Sequence, residues 1–127
     1  MQPLHVDTHV LAWLYQGERA RFPEKAQESL EAYRLSCSPM CILELDYLYE
    51  IGRLKVTGAT IVRYLQERIS LSVSSVAFAE IVSEAHKLTW TRDPFDRIIV
   101  ATASLTSTPL LTKDAHLRTH YSRAVWD

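Results

Sequence analysis

The sequence has few of the residues that mark specialised structural classes. Its 127 residues include only three glycines, five prolines and two cysteines, which excludes a collagen-like or loop-dominated chain and a disulfide scaffold. Apolar runs such as residues 98–101 are far shorter than the roughly 20 residues that span a bilayer. No positive segment followed by a long apolar stretch opens the chain, so no secretory signal is expected. These absences predict a cytoplasmic protein with no membrane contact.

The chain also has no excess of charge of one sign. Fourteen Lys and Arg residues stand against fifteen Asp and Glu residues, for a formal net charge of −1. This balance excludes a strongly basic protein that coats nucleic acid, although a local basic patch remains open. With 47% apolar and 23% charged residues, the composition is that of a globular protein rather than a disordered one. The length predicts a single domain over residues 1–127.

Short predicted strands alternate with predicted helices along the chain. The patterns predict strands at residues 4–7, 35–37, 69–73, 109–112 and 124–126, and helices at 8–15, 23–33, 39–51, 76–88 and from 57 and 94 onward. Such alternation favours an α/β sandwich around a mainly parallel sheet. Ligands bind such sheets at the carboxyl ends of the strands, so acids that follow strands are the first candidates for a site.

Four acids are expected to converge on that edge. Asp7 ends the first predicted strand, Asp114 follows the fourth, Glu44 lies in the helix after the second, and Asp96 lies in the first turn of the helix at Pro94. Clustered carboxylates repel one another unless a cation neutralises them, and oxygen ligands suit Mg²⁺ or Mn²⁺ better than zinc. Such ions can activate water for phosphodiester cleavage.

Each acid also has a structural interpretation. Asp93 precedes Pro94 and is well placed to cap the helix that Pro94 begins, either instead of binding a metal or as well. Asp114 can cap the short turn at residues 115–119. Asp7 and Glu44 have apolar neighbours, and a buried carboxylate needs a cation or hydrogen-bond donors.

Three segments of the chain resemble the motifs of a known family. Residues 6–14 (VDTHVLAWL) are similar to the opening of PIN-domain proteins, and residues 92–103 (RDPFDRIIVATA) resemble the most specific block of VapC-like toxins. Residues 110–114 (LLTKD) are similar to the last acidic motif of the family, and Val125 and Trp126 to its closing strand. The motifs occur in the family's order and extend from residue 4 to 126. The resemblance implies a PIN-like three-layer α/β/α sandwich.

The resemblance also implies an activity. Such proteins are Mg²⁺- or Mn²⁺-dependent endoribonucleases, usually the toxin of a type II toxin–antitoxin pair. Asp7, Glu44 and Asp96 match the three central acids of the family and Asp114 matches the variable fourth, while Asp93 accompanies Asp96 in one branch. Residues 38–44 lack the Ser-rich lead and the Trp that often precede the Glu, and Val100 stands where Ala is common. The implied partners are an RNA substrate and a cognate antitoxin.

Further polar residues near the acids have two interpretations each. Thr8 and Thr112 could orient a ligand or water by hydrogen bonding, or act as helix caps. Arg97 could contact a phosphate, or form an ion pair on its helix. Three other cations near the acids could steer RNA, or be solvated surface charges: Arg92, Lys113 and Arg118.

The remaining distinctive residues are interpreted as structural. Cys37 and Cys41 are expected to be buried thiols, His116 and His120 surface histidines, and the three tryptophans packing residues. The apolar residues from Leu43 to Leu54 belong to the core, to a homodimer interface or to an antitoxin contact. The competing functional hypotheses are a PIN-fold binding module without catalytic activity and, less well matched, a phosphoacceptor signalling domain.

Overall fold

The computed structural model describes residues 1–127. Five strands are present: β1 (Pro3–Val6), β2 (Arg34–Cys37), β3 (Ser72–Val73), β4 (Leu110–Leu111) and β5 (Ala124–Val125). Seven α-helices surround them: α1 (Thr8–Gln16), α2 (Glu24–Ala32), α3 (Pro39–Glu50), α4 (Gly58–Ile69), α5 (Phe78–Ala85), α6 (Pro94–Leu105) and α7 (Ala115–His120). A 3-10 turn at Arg19–Arg21 joins α1 to α2. No helix has the length and hydropathy needed to cross a membrane.

The strands form one sheet in the order β3-β2-β1-β4-β5, and every neighbouring pair is parallel. This confirms the predicted three-layer α/β/α architecture, with a sheet that is parallel throughout. The chain proceeds from β1 towards β3 and then returns to place β4 on the other side of β1. The boundary between β1 and β4 is therefore the topological switch point, and its carboxyl edge is the expected place for a ligand.

The centre of the sheet is buried because β1 and β4 consist mainly of apolar residues that helices cover. Leu4, Val6, Leu110 and Leu111 are all fully buried in the main core cluster. Helices α1, α3 and α4 contact one another, and α3 also contacts α6. Gly58 permits the close approach of α4 to α3, because a Cβ atom at this position would lie 2.5 Å from the carbonyl oxygen of Ile42.

One predicted strand is wrong over most of its length. The alternating pattern of residues 69–73 predicted a strand, but Ile69 is the last residue of α4 and only Ser72 and Val73 pair with β2. The buried residues Ile61, Val62 and Leu65 of α4 hold the chain in a helix until Ser70, which turns it with a left-handed φ of 56°. The alternation of apolar and polar residues at positions 69–73 therefore spans the end of α4 and does not mark a strand of that length.

The two cysteines are buried thiols, as the sequence predicts. Cys37 and Cys41 are both completely buried and neither forms a disulfide. Cys41 lies at the first turn of α3, where its Sγ is 3.7 Å from the carbonyl oxygen of Val6. The pair therefore contributes to packing between β1, β2 and α3.

Candidate active site

Asp7 follows β1 and lies at the switch point of the sheet. It is the N-cap of α1, and its side chain is 6% exposed. Its Oδ1 accepts a hydrogen bond from the Thr8 backbone N–H at 2.8 Å, and its Oδ2 accepts one from the Thr112 hydroxyl at 2.6 Å. Both donors are neutral, so the charge of this buried carboxylate is solvated by hydrogen bonds but not cancelled.

Glu44 is tied to the same point from α3. The Thr8 hydroxyl donates a hydrogen bond of 2.5 Å to its Oε1, which joins the start of α1 to the second turn of α3. Burial raises the pKa of the half-buried Glu44, the hydrogen bond from Thr8 opposes that effect, and the charges of Asp7 and Asp93 raise the pKa further. Thr8 therefore favours the ionised form of Glu44 in a place where burial opposes it.

The pKa of Asp96 is affected by all the other acids of the cluster. Its pKa is raised from 3.8 to about 7, first by burial and then by the charges of four other carboxylates, namely Asp7, Asp93, Asp114 and Glu44. Such mutual repulsion requires the five acids to lie near one another. None of them forms an ion pair with Lys or Arg. The sheet and helix ends therefore bring together all the acids that the sequence predicted, with no basic side chain paired to them.

Asp93 and Asp114 both cap helices. Oδ1 of Asp93 accepts hydrogen bonds from the backbone N–H groups of Phe95 at 2.9 Å and Asp96 at 3.3 Å. Oδ1 of Asp114 likewise accepts from His116 at 2.8 Å and Leu117 at 3.1 Å. Each cap uses a single carboxylate oxygen, so capping leaves the other oxygen free to bind a ligand.

The remaining predicted residues have contacts that position the site. The Thr112 hydroxyl donates to Asp7 and also accepts a hydrogen bond from the backbone N–H of Asp114 at 3.1 Å, so this threonine links two of the acids. The Nε–H of Arg97 donates to the Ala85 carbonyl at 2.9 Å, which holds α6 against the end of α5. The structure therefore engages one guanidinium nitrogen of Arg97 in packing.

His9 is a member of the site that the sequence analysis missed. Its Nε2 accepts a hydrogen bond of 2.9 Å from the backbone N–H of Lys113, which places its proton on Nδ1, 3.6 Å from Oδ2 of Asp7. Burial is the largest effect on the pKa of His9 and lowers it, which favours the neutral ring. The contact joins residues 104 apart. No local sequence pattern indicates such a pairing.

The donor set fits a hard divalent cation in its chemistry. In this conformation no group of three His, Cys, Asp or Glu side chains is close enough to hold a metal ion directly. The five acids nevertheless offer carboxylate oxygens, and their charges add to burial in raising the pKa of Asp96 to about 7. Mg²⁺ and Mn²⁺ prefer oxygen ligands and often bind through few carboxylates and several waters.

Comparison with known proteins agrees with this architecture. The model of the family described as PIN domain matches residues 4–121. No curated protein matches the chain significantly in sequence.

Several solved structures share the fold. A structure of VapBC2 from Rickettsia felis, bound to a DNA fragment from its promoter, superposes with a TM-score of 0.68 at 12% identity and covers 99% of this chain and 100% of that one. A toxin–antitoxin complex from Klebsiella pneumoniae gives a TM-score of 0.66 at 19% identity, covering 96% and 95% of the two chains. VapBC-1 from nontypeable Haemophilus influenzae gives 0.65 at 16% identity, covering 99% and 97%. At these identities the likeness establishes a shared fold along the whole chain.

Proposed function

This chain belongs to the PIN domain family, and from that premise we propose that it is a metal-dependent endoribonuclease that hydrolyses RNA phosphodiester bonds with Mg²⁺ or Mn²⁺. The observation that supports the proposal most directly is the cluster of five carboxylates at the switch point, in which repulsion and burial raise the pKa of Asp96 to about 7. A protein that keeps such charges together without a basic partner is suited to binding a cation there.

Each acid has a proposed role that follows from its position. Asp7 and Asp96 would hold the metal, and Glu44 and Asp114 would bind it directly or through water, with Asp93 as a further candidate beside its capping role. A bound divalent ion lowers the pKa of the attacking water and stabilises charge on the phosphate oxygens. Thr112 fixes the carboxylate of Asp7 by its 2.6 Å hydrogen bond.

Three other side chains are proposed to act close to the substrate. Thr8 favours the ionised form of Glu44 and orients it through its hydrogen bond of 2.5 Å, and Thr112 links Asp7 to the backbone of Asp114. The guanidinium nitrogens of Arg97 that do not bind the Ala85 carbonyl are proposed to contact a phosphate of the RNA.

We further propose that the protein is the toxin of a toxin–antitoxin pair and forms a homodimer. Structures of similar fold are described as toxin–antitoxin complexes, which supports an antitoxin partner. Helix α3 also leaves large apolar side chains in solvent, with Leu43 55%, Tyr47 48% and Ile51 48% exposed. Exposed apolar residues on one helix favour a protein contact, and an isologous contact between two copies of α3 would bury them in pairs.

Cleavage of RNA by the purified protein tests the enzymatic proposal. A panel of structured RNAs with Mg²⁺ or Mn²⁺ should be cut by the wild type, and cleavage should be lost in Asp7→Asn and Asp96→Asn, which remove the proposed metal ligands. Glu28→Gln, an exposed carboxylate of α2 without an ion pair, is the matched control and should cleave normally. If no RNA is cut and no metal raises the melting temperature, the alternative of a PIN-fold protein- or RNA-binding module without catalytic activity is favoured.

The proposed homodimer is tested by measuring the mass of the protein in solution. Light scattering coupled to size-exclusion chromatography should give the mass of two chains for the wild type and of one chain for Leu43→Glu. A dimer that survives this substitution would contradict the assignment of the contact to α3.

A further inference from the structure

An open groove lies beside the acid cluster and shares Asp114 with it. It has a volume of about 730 Å³, within the roughly 300–1,000 Å³ range of ligand-binding cavities. Its walls come from the start of α7 and from the aromatic residues beneath it: Trp13, Lys113, Asp114, His116, Arg118 and Trp126. We name this cavity the α7 groove. Because Asp114 lies in its wall, a ligand in the groove would extend directly from the proposed cleavage site.

The α7 groove contains two cations, Lys113 and Arg118, together with the carboxylates of Asp114 and Asp127. The Lys113 ammonium lies 5.3 Å from the centre of the Trp13 ring and forms no ion pair with a carboxylate. Arg118 pairs with Asp127 through Nη1 at 3.1 Å, while its buried Nε has no hydrogen-bond partner. The acids alone would repel a polyanion, so Lys113, which has no carboxylate partner, gives a phosphate backbone a favourable contact beside them.

A stack of rings continues from the α7 groove along α7. The His120 ring lies parallel to the Trp90 ring, with centres 4.8 Å apart and planes 6° apart. His116 contacts both rings, and its Nε2 lies 2.9 Å from the Trp90 carbonyl oxygen. Trp90 packs its other side on the core, whereas His120 is exposed. His120 is therefore an outward-facing ring that stacks on Trp90. The sequence analysis interpreted Trp90 as a packing residue only.

Cations beside exposed stacked rings are the features with which proteins bind single-stranded nucleic acid. Bases stack on the rings, and the basic side chains neutralise the phosphates between them. We propose that the α7 groove and the His120–Trp90 stack bind the single-stranded RNA flanking the cleaved bond, with Lys113 on a phosphate and a base on the outer face of His120. This inference rests on the proposed ribonuclease function and deepens it.

Measuring the binding of two labelled strands distinguishes the phosphate contact of Lys113 from the base contact of His120. One probe is a fluorescein-labelled single-stranded RNA, and the other is an abasic ribose–phosphate strand of equal length. Both are titrated at several salt concentrations into protein that carries Asp96→Asn to suppress cleavage. The test variants are Lys113→Gln and His120→Ala, and the matched controls are Lys55→Gln and His86→Ala, which are exposed residues outside the groove.

The proposal predicts a different change in affinity and salt dependence for each test variant. Lys113→Gln should weaken binding of both strands and reduce the slope of log Kd against log salt by about 0.7, the value for one lost phosphate contact on a single strand. His120→Ala should weaken binding of the RNA by about 5- to 100-fold without changing that slope, and should leave binding of the abasic strand unchanged. Both controls should bind like the parent protein.

Three outcomes would overturn the inference. If both test variants bind RNA like the controls while the wild type cleaves RNA, the groove is not the substrate path although the enzyme assignment stands. The groove is equally excluded as the substrate path if the variants lose binding only to a protein partner. If the wild type neither binds nor cleaves RNA, the proposed function itself fails. Thermal melting of each variant confirms that lost binding does not arise from unfolding.

Discussion

At the scale of single residues, Asp96 couples stability to pH. Its pKa of about 7 in the folded protein lies above the ordinary value of 3.8, so the folded state holds a proton that the unfolded state has released. The unfolding free energy should therefore lose the contribution of Asp96 as the pH rises from about 4 to 7. In metal-free protein, the stability advantage of Asp96→Asn over the wild type should widen across this range and stay constant above pH 7.

Urea denaturation at a series of pH values with EDTA measures this advantage. The difference between the two proteins is the informative quantity, because buried His5 contributes an opposite dependence to both. Burial lowers the pKa of His5 to about 4, so its contribution to stability is lost as the pH falls from 6.5 through 4. Parallel stability curves for wild type and Asp96→Asn would show that neither burial nor the neighbouring acids raise the pKa of Asp96.

The sequence predicts which acids form the site, but not what holds them in place. Asp7 and Asp114 could be found because each follows a strand of a parallel sheet, and that rule depends only on local pattern. His9 could not be found in this way, since its role depends on a hydrogen bond to the backbone of Lys113, 104 residues away. The hydroxyl of Thr112 likewise reaches Asp7 across 105 residues.

At the scale of secondary structure elements, substitutions of Asp93 at the start of α6 can distinguish its capping role from a role in metal binding. Asp93→Ala removes the side-chain acceptor for Phe95 and Asp96 and should lower the unfolding free energy by about 1 kcal/mol. Asp93→Ser keeps a capping oxygen and removes the carboxylate, so it should retain most of the stability. If Asp93 only caps, the serine variant should also bind Mn²⁺ as the wild type does, as measured by calorimetry. A weakened Mn²⁺ affinity at full stability would show that the carboxylate of Asp93 contributes to cation binding, by ligation or by its charge.

The hydrogen bond between Thr8 and Glu44 is a second link between elements. Thr8→Val keeps the shape of this buried side chain and removes the donor, so it should lower the unfolding free energy by about 1–3 kcal/mol at neutral pH. It should also raise the pKa of Glu44 further, because the hydroxyl favours the ionised carboxylate. Chemical denaturation gives the first quantity and NMR titration of Glu44 the second. Thr89→Val, an exposed threonine in the loop before Trp90, should change neither.

The elements that the sequence predicts well are helices that begin with an N-cap residue followed by proline. Ser38 before Pro39 and Asp93 before Pro94 begin helices as expected, because an oxygen acceptor followed by proline suits the first turn. The strand predicted at residues 69–73 lacked such a signal and depended on alternation alone. The packing of α4 on the core decided that segment, and this tertiary effect is not visible in five residues.

At the scale of the whole molecule, metal binding should be measurable as stability. A divalent ion that binds only the folded protein adds about 2.7 kcal/mol at a hundred times its dissociation constant. We expect Mn²⁺ to raise the melting temperature of the wild type, EDTA to reverse the effect, and Asp7→Asn to abolish it. Because Asp96 must release its proton to bind a cation, the rise should be larger at pH 8 than at pH 6. An equal rise at both pH values would place the ion away from Asp96.

The position of β4 in the sheet has a consequence for the newly made protein. Asp7 lies near the start of the chain, whereas its partner Thr112 follows β4, 105 residues later. At about 5–20 residues per second, a ribosome needs about 5–20 s to make the intervening chain. Throughout that time the emerging polypeptide has β1 without its β4 neighbour and Asp7 without its threonine donor. The order of synthesis therefore delays assembly of the acid cluster until β4 and Thr112 have left the ribosome.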